Sequence, residues 1–295
     1  MINDPLVTIV TPTYNREDLL VDTIQSVLNQ TYTNIEYIIV NDGSTDNTSE
    51  ILKKYSHVAT VINKDNSGQV DSINLGWKMA EGEIITYLSD DDLLLPNAIE
   101  ELVKVMQTTN AVCVYPDSNL IGINDEIIKK SVCKKTIYKD LLIKQDCYIG
   151  PGALFLHDKA KKVGFWDCKI KMAPDREFII RLLSEGKIHF HQKVLALYRQ
   201  HPDSGVVKNV NEEAMGEYLY VADKLYALNL LDEREYKLCK AYSYLTITRA
   251  CLINGDVRSA IKNIKLSRKE STEAFTVQVI LRLIGSYMKN YVLKV

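Results

Sequence analysis

Residues 84–92 read Ile-Ile-Thr-Tyr-Leu-Ser-Asp-Asp-Asp. An apolar run, Ile84 to Leu88, leads straight into three consecutive carboxylates. The run predicts a buried strand. The carboxylates repel one another and are costly to desolvate, so something at the strand end must answer their charge. Upstream, residues 69–80 read as a helix ended by Gly82, and Val58 to Ile62 as a strand. Residues 46–55 read as a helix with Ser44 or Thr45 as N-cap. Ile35 to Val40 is a second apolar strand, broken by Asn41-Asp42-Gly43-Ser44. Residues 16–30 carry Leu19, Leu20, Ile24, Val27 and Leu28 on a helical stripe. Leu6 to Val10 is the first strand, expected to stop at Thr11-Pro12-Thr13. Downstream, Pro96 opens a helix, and Ala111 to Tyr115 is a fifth strand.

Short buried strands alternating with helices mean an α/β fold with a mainly parallel, Rossmann-like sheet. Right-handed crossovers place helices on both faces. Ligands of such sheets bind beyond the carboxyl ends of the strands. Three polar clusters fall there: 11–16, 41–46 and 89–92. Residues 117–200 are less regular. Gly150-Pro151-Gly152 is a loop, Pro174 opens a helix through Leu183 ended by Gly186, and Ile188 to Tyr198 reads as one or two strands. From about Asn211 the pattern is helical. Ala241 to Ser267 reads as two helices joined at Asn254-Gly255-Asp256, similar to one tetratricopeptide hairpin. One such unit cannot build a solenoid. The expected division is an α/β domain over 1–205 and an α-helical C-terminal region over 206–295.

The chain has 295 residues, 46% hydrophobic and 25% charged, which excludes wholesale disorder. Its net charge of −2 gives no reason to expect nucleic acid as a partner. From Arg249 onward there are nine Lys/Arg against three Asp/Glu, a local charge of +6. Six cysteines form no C-x-x-C pair, so reduced thiols in a cytoplasmic protein are the expectation. The start lacks a basic and apolar leader, and no stretch reaches the ~18 apolar residues of a membrane span. Ile280, Leu281, Leu283, Ile284, Tyr287, Met288, Tyr291 and Val292 form an apolar stripe with Arg282, Lys289 and Lys294 around it. Two readings stand: the stripe packs on the α/β domain, or it makes a peripheral contact with the anionic inner face of a membrane.

The acidic cluster suits a hard divalent cation, Mg²⁺ or Mn²⁺, shared with substrate phosphates; otherwise it is a solvated turn with Asp92 capping the next helix. Asp42 could accept a hydrogen bond from the imide N–H of a pyrimidine, with Gly43 allowing close backbone approach; an Asx-turn is the other reading. Tyr14 offers a stacking face and Arg16 a fork for phosphate or for Asp42, while Thr13 or Asn15 can cap a helix. Asp175 lies in a first helical turn, where a carboxylate also serves the helix dipole. Arg199 and His201 follow a strand in Tyr198-Arg199-Gln200-His201-Pro202 and could reach a diphosphate or metal. Dinucleotide, P-loop and nucleophile-elbow motifs are absent.

Together these residues resemble the family 2 glycosyltransferases, which have the GT-A fold. The likeness lies in Thr-Pro-Thr-Tyr-Asn-Arg at 11–16, Val-Asn-Asp-Gly-Ser-Thr-Asp-Asn-Thr at 40–48, Asn66-Ser67-Gly68, Asn74-Leu75-Gly76, Ala80-Glu81-Gly82-Glu83 and the acidic cluster. It covers roughly 1–115 closely and reaches more loosely to about 203. The resemblance implies that Thr11, Pro12, Tyr14, Arg16, Asp42, Asn66, Gly68 and Asp90 bind the nucleotide-sugar donor. It implies that Asp91, Asp92 and His201 hold the cation and that Asp175 is the catalytic base. Three departures stand out: Ser89 opens the acidic motif, Pro174 precedes Asp175, and Ile73 stands where many relatives have Arg.

The implied reaction moves a sugar from a nucleotide diphosphate, with UDP favoured, to a hydroxyl of a glycan or lipid-linked acceptor, with inversion. Surface polysaccharide or glycan synthesis is the expected setting. The competing readings are a nucleotidyltransferase, disfavoured because 11–16 contains no Gly, and a non-catalytic nucleotide-sugar-binding scaffold.

Overall fold

The computed structural model describes residues 4–172, 174–201 and 211–292. It divides into two compact units. The first comprises residues 1–136, 148–169 and 174–201; the second comprises 137–147, 170–173 and 202–295. The boundary expected at 205/206 falls among residues 202–210, outside the described residues. Lys294, expected beside the terminal stripe, also lies outside them.

The first unit holds β1 Val7–Thr13, α1 Leu20–Leu28, β2 Ile35–Asn41, α2 Thr48–Lys53, β3 Thr60–Asn63, α3 Gln69–Met79, β4 Ile84–Tyr87, β5 Leu93–Leu94, α4 Ala98–Thr109, β6 Cys113–Ile121 and β7 Ile127–Lys129. After α5 Tyr138–Lys144, which belongs to the second unit, come β8 Leu154–Leu156, α6 His157–Val163, α7 Pro174–Leu182 and β9 Ile188–Arg199. The strands form one sheet in the order β3-β2-β1-β4-β8-β6-β9-β5, with β7 added to β6. The run β3-β2-β1-β4 is parallel, as the alternating pattern predicts. β8 is antiparallel to both β4 and β6, and β6 is parallel to β9. The carboxyl ends of β1, β2, β4, β6 and β9 therefore share one end of the sheet.

β1 runs three residues past its expected stop, and the hydrogen-bond direction explains why proline is tolerated there. Val7 and Thr13 direct their backbone groups to the β2 side, whereas Leu6 and Val10 serve β4 and the chain following it. Pro12 shares the second phase, and the β4 ladder ends at Val10↔Tyr87, so its missing N–H costs no ladder bond.

Helices cover both faces. Leu20, Ile24 and Val27 of α1 and Ile99, Leu102 and Met106 of α4 pack with Val7 and Ile9 of β1 in one core. On the other face α3 lies flush on β1: a Cβ at Gly76 would meet Val10 Cγ1 at 2.5 Å. Ile73, where relatives carry Arg, is fully buried in this α3 packing face.

The second unit is helical: α5, then α8 Glu212–Met215, α9 Glu217–Ala227, α10 Glu233–Ile253, α11 Val257–Glu270 and α12 Val277–Val292. α10 begins with a capping box, Asp232 accepting from the Glu235 N–H while Glu235 accepts from the Asp232 N–H. The α10–α11 hairpin turns at 254–256, as expected. Leu283 of α12 packs into two apolar clusters, with Ile247 and Ala260 in one and Leu245 and Ala274 in the other. Val277, Leu281, Ile284 and Met288 of the same helix stay half or more exposed. No helix of the described residues is long and apolar enough to cross a membrane.

Candidate active site

The loops after β1 and β2 are sewn together. The Asn15 N–H donates to Ser44 Oγ at 3.0 Å, and Asn15 Oδ1 accepts from the Thr45 N–H at 2.7 Å. The Arg16 N–H donates to Thr48 Oγ1 at 3.0 Å, the Glu17 N–H donates to Asp46 Oδ2 at 3.2 Å, and Glu17 Oε2 accepts from the Asn47 N–H at 3.0 Å. Ser44 and Thr45, expected as caps of α2, are thus used as cross-loop ties. Asp46 Oδ1 meets the free Thr48 N–H at 3.0 Å instead. Gly43 adopts φ +74°, and a Cβ there would come within 2.9 Å of the Asn66 nitrogen, so the β2 loop presses against the β3 loop as only glycine can.

Asp42 sits where these loops converge. Its carboxylate accepts from the N–H groups of Ser67 at 2.9 Å and Gly68 at 2.8 Å, and from Lys64 Nζ. Burial alone would raise its pKa, but the Lys64 ammonium and the two amides outweigh it and hold the carboxyl below the usual range. Gly68 is the N-cap of α3 with φ +97°. Asp42 therefore anchors the start of α3 as well as facing the loop cluster.

Past β4 the chain turns tightly, the Asp92 N–H donating to Ser89 O at 3.1 Å. The three carboxylates then take different surroundings. Asp90 accepts from the Tyr14 N–H at 3.3 Å and from Arg16 Nε at 3.4 Å. Burial first, and the Asp91 charge second, push its pKa up to about 7 against the pull of Arg16. Asp91 Oδ2 lies 3.0 Å from His201 Nε2. Asp92 turns inward: Oδ1 accepts from the Arg199 N–H at 2.9 Å, and the side chain is 4% exposed. Burial and then Asp91 hold its carboxyl well above the usual range.

Asp175 is placed by a different set of contacts. Trp77 of α3 donates its indole N–H to Thr86 O at 3.1 Å and packs against Tyr87, Phe155, Phe165, Trp166 and Phe178. Asn74 clasps the Trp166 backbone, donating to its carbonyl at 2.8 Å and accepting from its N–H at 2.9 Å. Arg181 of α7 pairs with the fully buried Glu177 and donates to the carbonyls of Gly164 at 2.5 Å and Phe165 at 2.8 Å. These ties set the first turn of α7, where Asp175 lies partly buried. Desolvation raises its pKa against the nearby Arg176 charge. At the end of β9, burial first, then the charges of Asp92, Asp91 and Asp175, push the Tyr198 hydroxyl up to about 12.

Of the residues expected to hold a donor, Tyr14, Arg16, Asp42, Gly68 and Asp90 gather on the loops at this end of the sheet, and Asn66 is exposed beside them. Thr11 and Pro12 are buried in the sheet, with Thr11 Oγ1 3.1 Å from the Tyr37 hydroxyl. Lys64 was not singled out by sequence reasoning. Its signal was its place one residue past β3, as Asp42 stands one residue past the neighbouring β2. The cation expectation fits this donor set. Asp91 and His201 offer one oxygen and one nitrogen ligand beside two carboxyls whose pKa values are raised by burial first and by the Asp91 charge second. Among the described residues no three His, Cys, Asp or Glu side chains close a cage by themselves, so substrate oxygens would complete it, as Mg²⁺ sites commonly require.

The structure of Staphylococcus aureus TarS 1–349 in complex with UDP matches this chain with a TM-score of 0.65 at 15% identity, over 96% of this chain and 89% of that one. The fold is that of the GT-A glycosyltransferases. The Glycosyl transferase family 2 model matches residues 8–164, and the chain belongs to that family. An uncharacterized glycosyltransferase of Rickettsia typhi is 28% identical over 97% of this chain and 92% of its own length. The mannosyltransferase PcManGT of Pyrobaculum calidifontis, solved with GDP-Man and Mn²⁺, matches with a TM-score of 0.58 at 14% identity, over 98% of this chain and 88% of that one.

Proposed function

We propose that this family 2 enzyme is an inverting, cation-assisted transferase moving a sugar from a UDP-sugar to a hydroxyl of a glycan or lipid-linked acceptor, in the synthesis of a surface polysaccharide or glycan. The observation that supports the reading is that Asp91 Oδ2 and His201 Nε2 stand 3.0 Å apart, beside the Asp90 carboxylate that meets the Tyr14 N–H and Arg16 of the β1 loop.

Tyr14 would stack on the base, and Asp42 would accept its imide N–H through capacity left on Oδ2. Arg16 and Asp90 would meet ribose or phosphate, and Asn66 and Gly68 would border the donor. Asp91 and His201, with Asp92 shaping the loop or joining them, would hold Mn²⁺ or Mg²⁺. Once bound, the cation supplies positive charge against a departing diphosphate. Asp175 would take the acceptor hydroxyl proton, a task its raised pKa suits. The hydroxyl oxygen then bonds to the anomeric carbon while the carbon–oxygen bond to the nucleoside diphosphate breaks, its electron pair leaving with the phosphate. One displacement inverts the centre and needs no covalent sugar intermediate.

Domain 1–205 would carry donor binding and chemistry, and the helices of 206–295 acceptor selection. The exposed apolar face of α12, with +6 of charge beyond Arg249, supports a peripheral contact with an anionic membrane. Transfer assays with UDP-sugars and Mn²⁺ test the central reading: if Asp91→Ala and Asp175→Asn both keep wild-type rates, the mechanism is wrong.

A further inference from the structure

Sequence reasoning put Arg199 near a donor diphosphate. The structure gives it other work. Its side chain is 2% exposed. Nε donates to the backbone carbonyl of Asp91 at 2.9 Å. Nη1 lies 3.1 Å from Gly122 O, 3.2 Å from Ile123 O and 2.7 Å from Asp125 Oδ1. Its own N–H holds the Asp92 carboxylate. One guanidinium therefore fastens two separate pieces of chain: the acidic loop after β4 and the β6–β7 turn, residues 122–126.

We propose that Arg199 is a positioning residue for Asp91, and that it works as a strut between the acidic loop and the β6–β7 turn. The proposal rests on the reading above that Asp91 serves a cation. Three arguments carry it. A buried guanidinium is retained only where its donors are met, and Nε and Nη1 are already committed to protein acceptors. The planar fork reaches the Asp91 carbonyl and the turn at once, which the single ammonium of a lysine cannot reproduce. The bond falls on the backbone of Asp91 itself, so it sets where that carboxylate starts from without occupying its oxygens. Asp125, whose side chain is 60% exposed, balances the charge at the far end.

The test uses the full chain and calorimetric titration with UDP, in Mn²⁺ and in EDTA, with Arg199→Lys and Asp125→Asn. Groups that orient a metal ligand from behind are typically worth about 10–100-fold in metal affinity. The Mn²⁺-dependent gain in UDP affinity should fall about tenfold in Arg199→Lys and severalfold in Asp125→Asn, with affinity in EDTA unchanged. A general loosening of the fold would lower both affinities together and overturn the proposal. So would variants that respond to Mn²⁺ like the wild type. If Arg199→Lys fails to fold, the exposed Asp125→Asn decides alone. Wild-type protein whose UDP affinity ignores Mn²⁺ would sink the cation reading and this proposal with it; a responsive wild type with equally responsive variants sinks only this proposal.

Discussion

His201 Nε2 stands 3.0 Å from Asp91 Oδ2, although 110 residues separate them in the chain. The contact exists because β9 runs parallel to β6 and delivers its last residues to the end of the sheet where β4 delivers the acidic loop. An imidazole and a carboxylate held together there would supply two ligands to the proposed cation.

Removing either ligand should show it. Asp91→Ala is expected to lower Mn²⁺-supported transfer by about 10²-fold or more, the rate equivalent of about 2.7 kcal/mol. His201→Ala should raise the Mn²⁺ concentration needed for half-maximal rate more than it lowers the rate at saturating metal. Steady-state kinetics over a Mn²⁺ titration check both.

Asp175 gives a prediction in pH. Its carboxyl is raised by burial, and a base must be deprotonated, so the rate should fall as pH drops through that raised pKa. The acid limb should therefore sit above the ordinary value of 3.8. Asp175→Asn should lower kcat by about 10²–10⁴-fold and abolish the limb. A pH–rate profile of both proteins reads the result.

Asp42 behaves in the opposite sense. Its pKa is lowered in the fold, so its contribution to stability is complete above the unfolded value of 3.8 and is lost as pH falls through the depressed value. Asp42→Asn should destabilise by about 1.5–3 kcal/mol at neutral pH, the usual worth of hydrogen bonds to a charged group. The gap from wild type should narrow in acid. Urea melts at pH 7 and near pH 3 would show it.

Arg181→Ala removes the ion-pair partner of a fully buried Glu177 and the donor to the loop carbonyls that place Trp166. Breaking such a pair costs about 3–5 kcal/mol. Thermal melts should register that loss, and Glu177→Gln with Arg181→Met together should recover part of it.

Much of the parallel sheet and its carboxyl-end loops was readable in advance. Apolar runs followed at once by Thr-Pro-Thr-Tyr, Asn-Asp-Gly-Ser and Ser-Asp-Asp-Asp announce parallel strands and the loops at their ends, because strand burial and turn chemistry are both local. The same locality misled at Thr11-Pro12-Thr13. A proline looks like a strand stop, yet the ladder phase left its nitrogen facing a side where pairing had already ended.

Residue types and their order along the chain were enough to choose the α/β fold and to place three polar clusters in the loops that follow its parallel strands. Which way each side chain turns was decided only by long-range packing. Thr11 faces Tyr37, Asp92 faces the Arg199 amide, Lys64 closes on Asp42, and Arg199 is buried between two loops. Those choices depend on partners from 22 to 108 residues away. A polar group's best partner inside a folded chain is set by which strand ends share one edge, and no periodicity in the sequence encodes that.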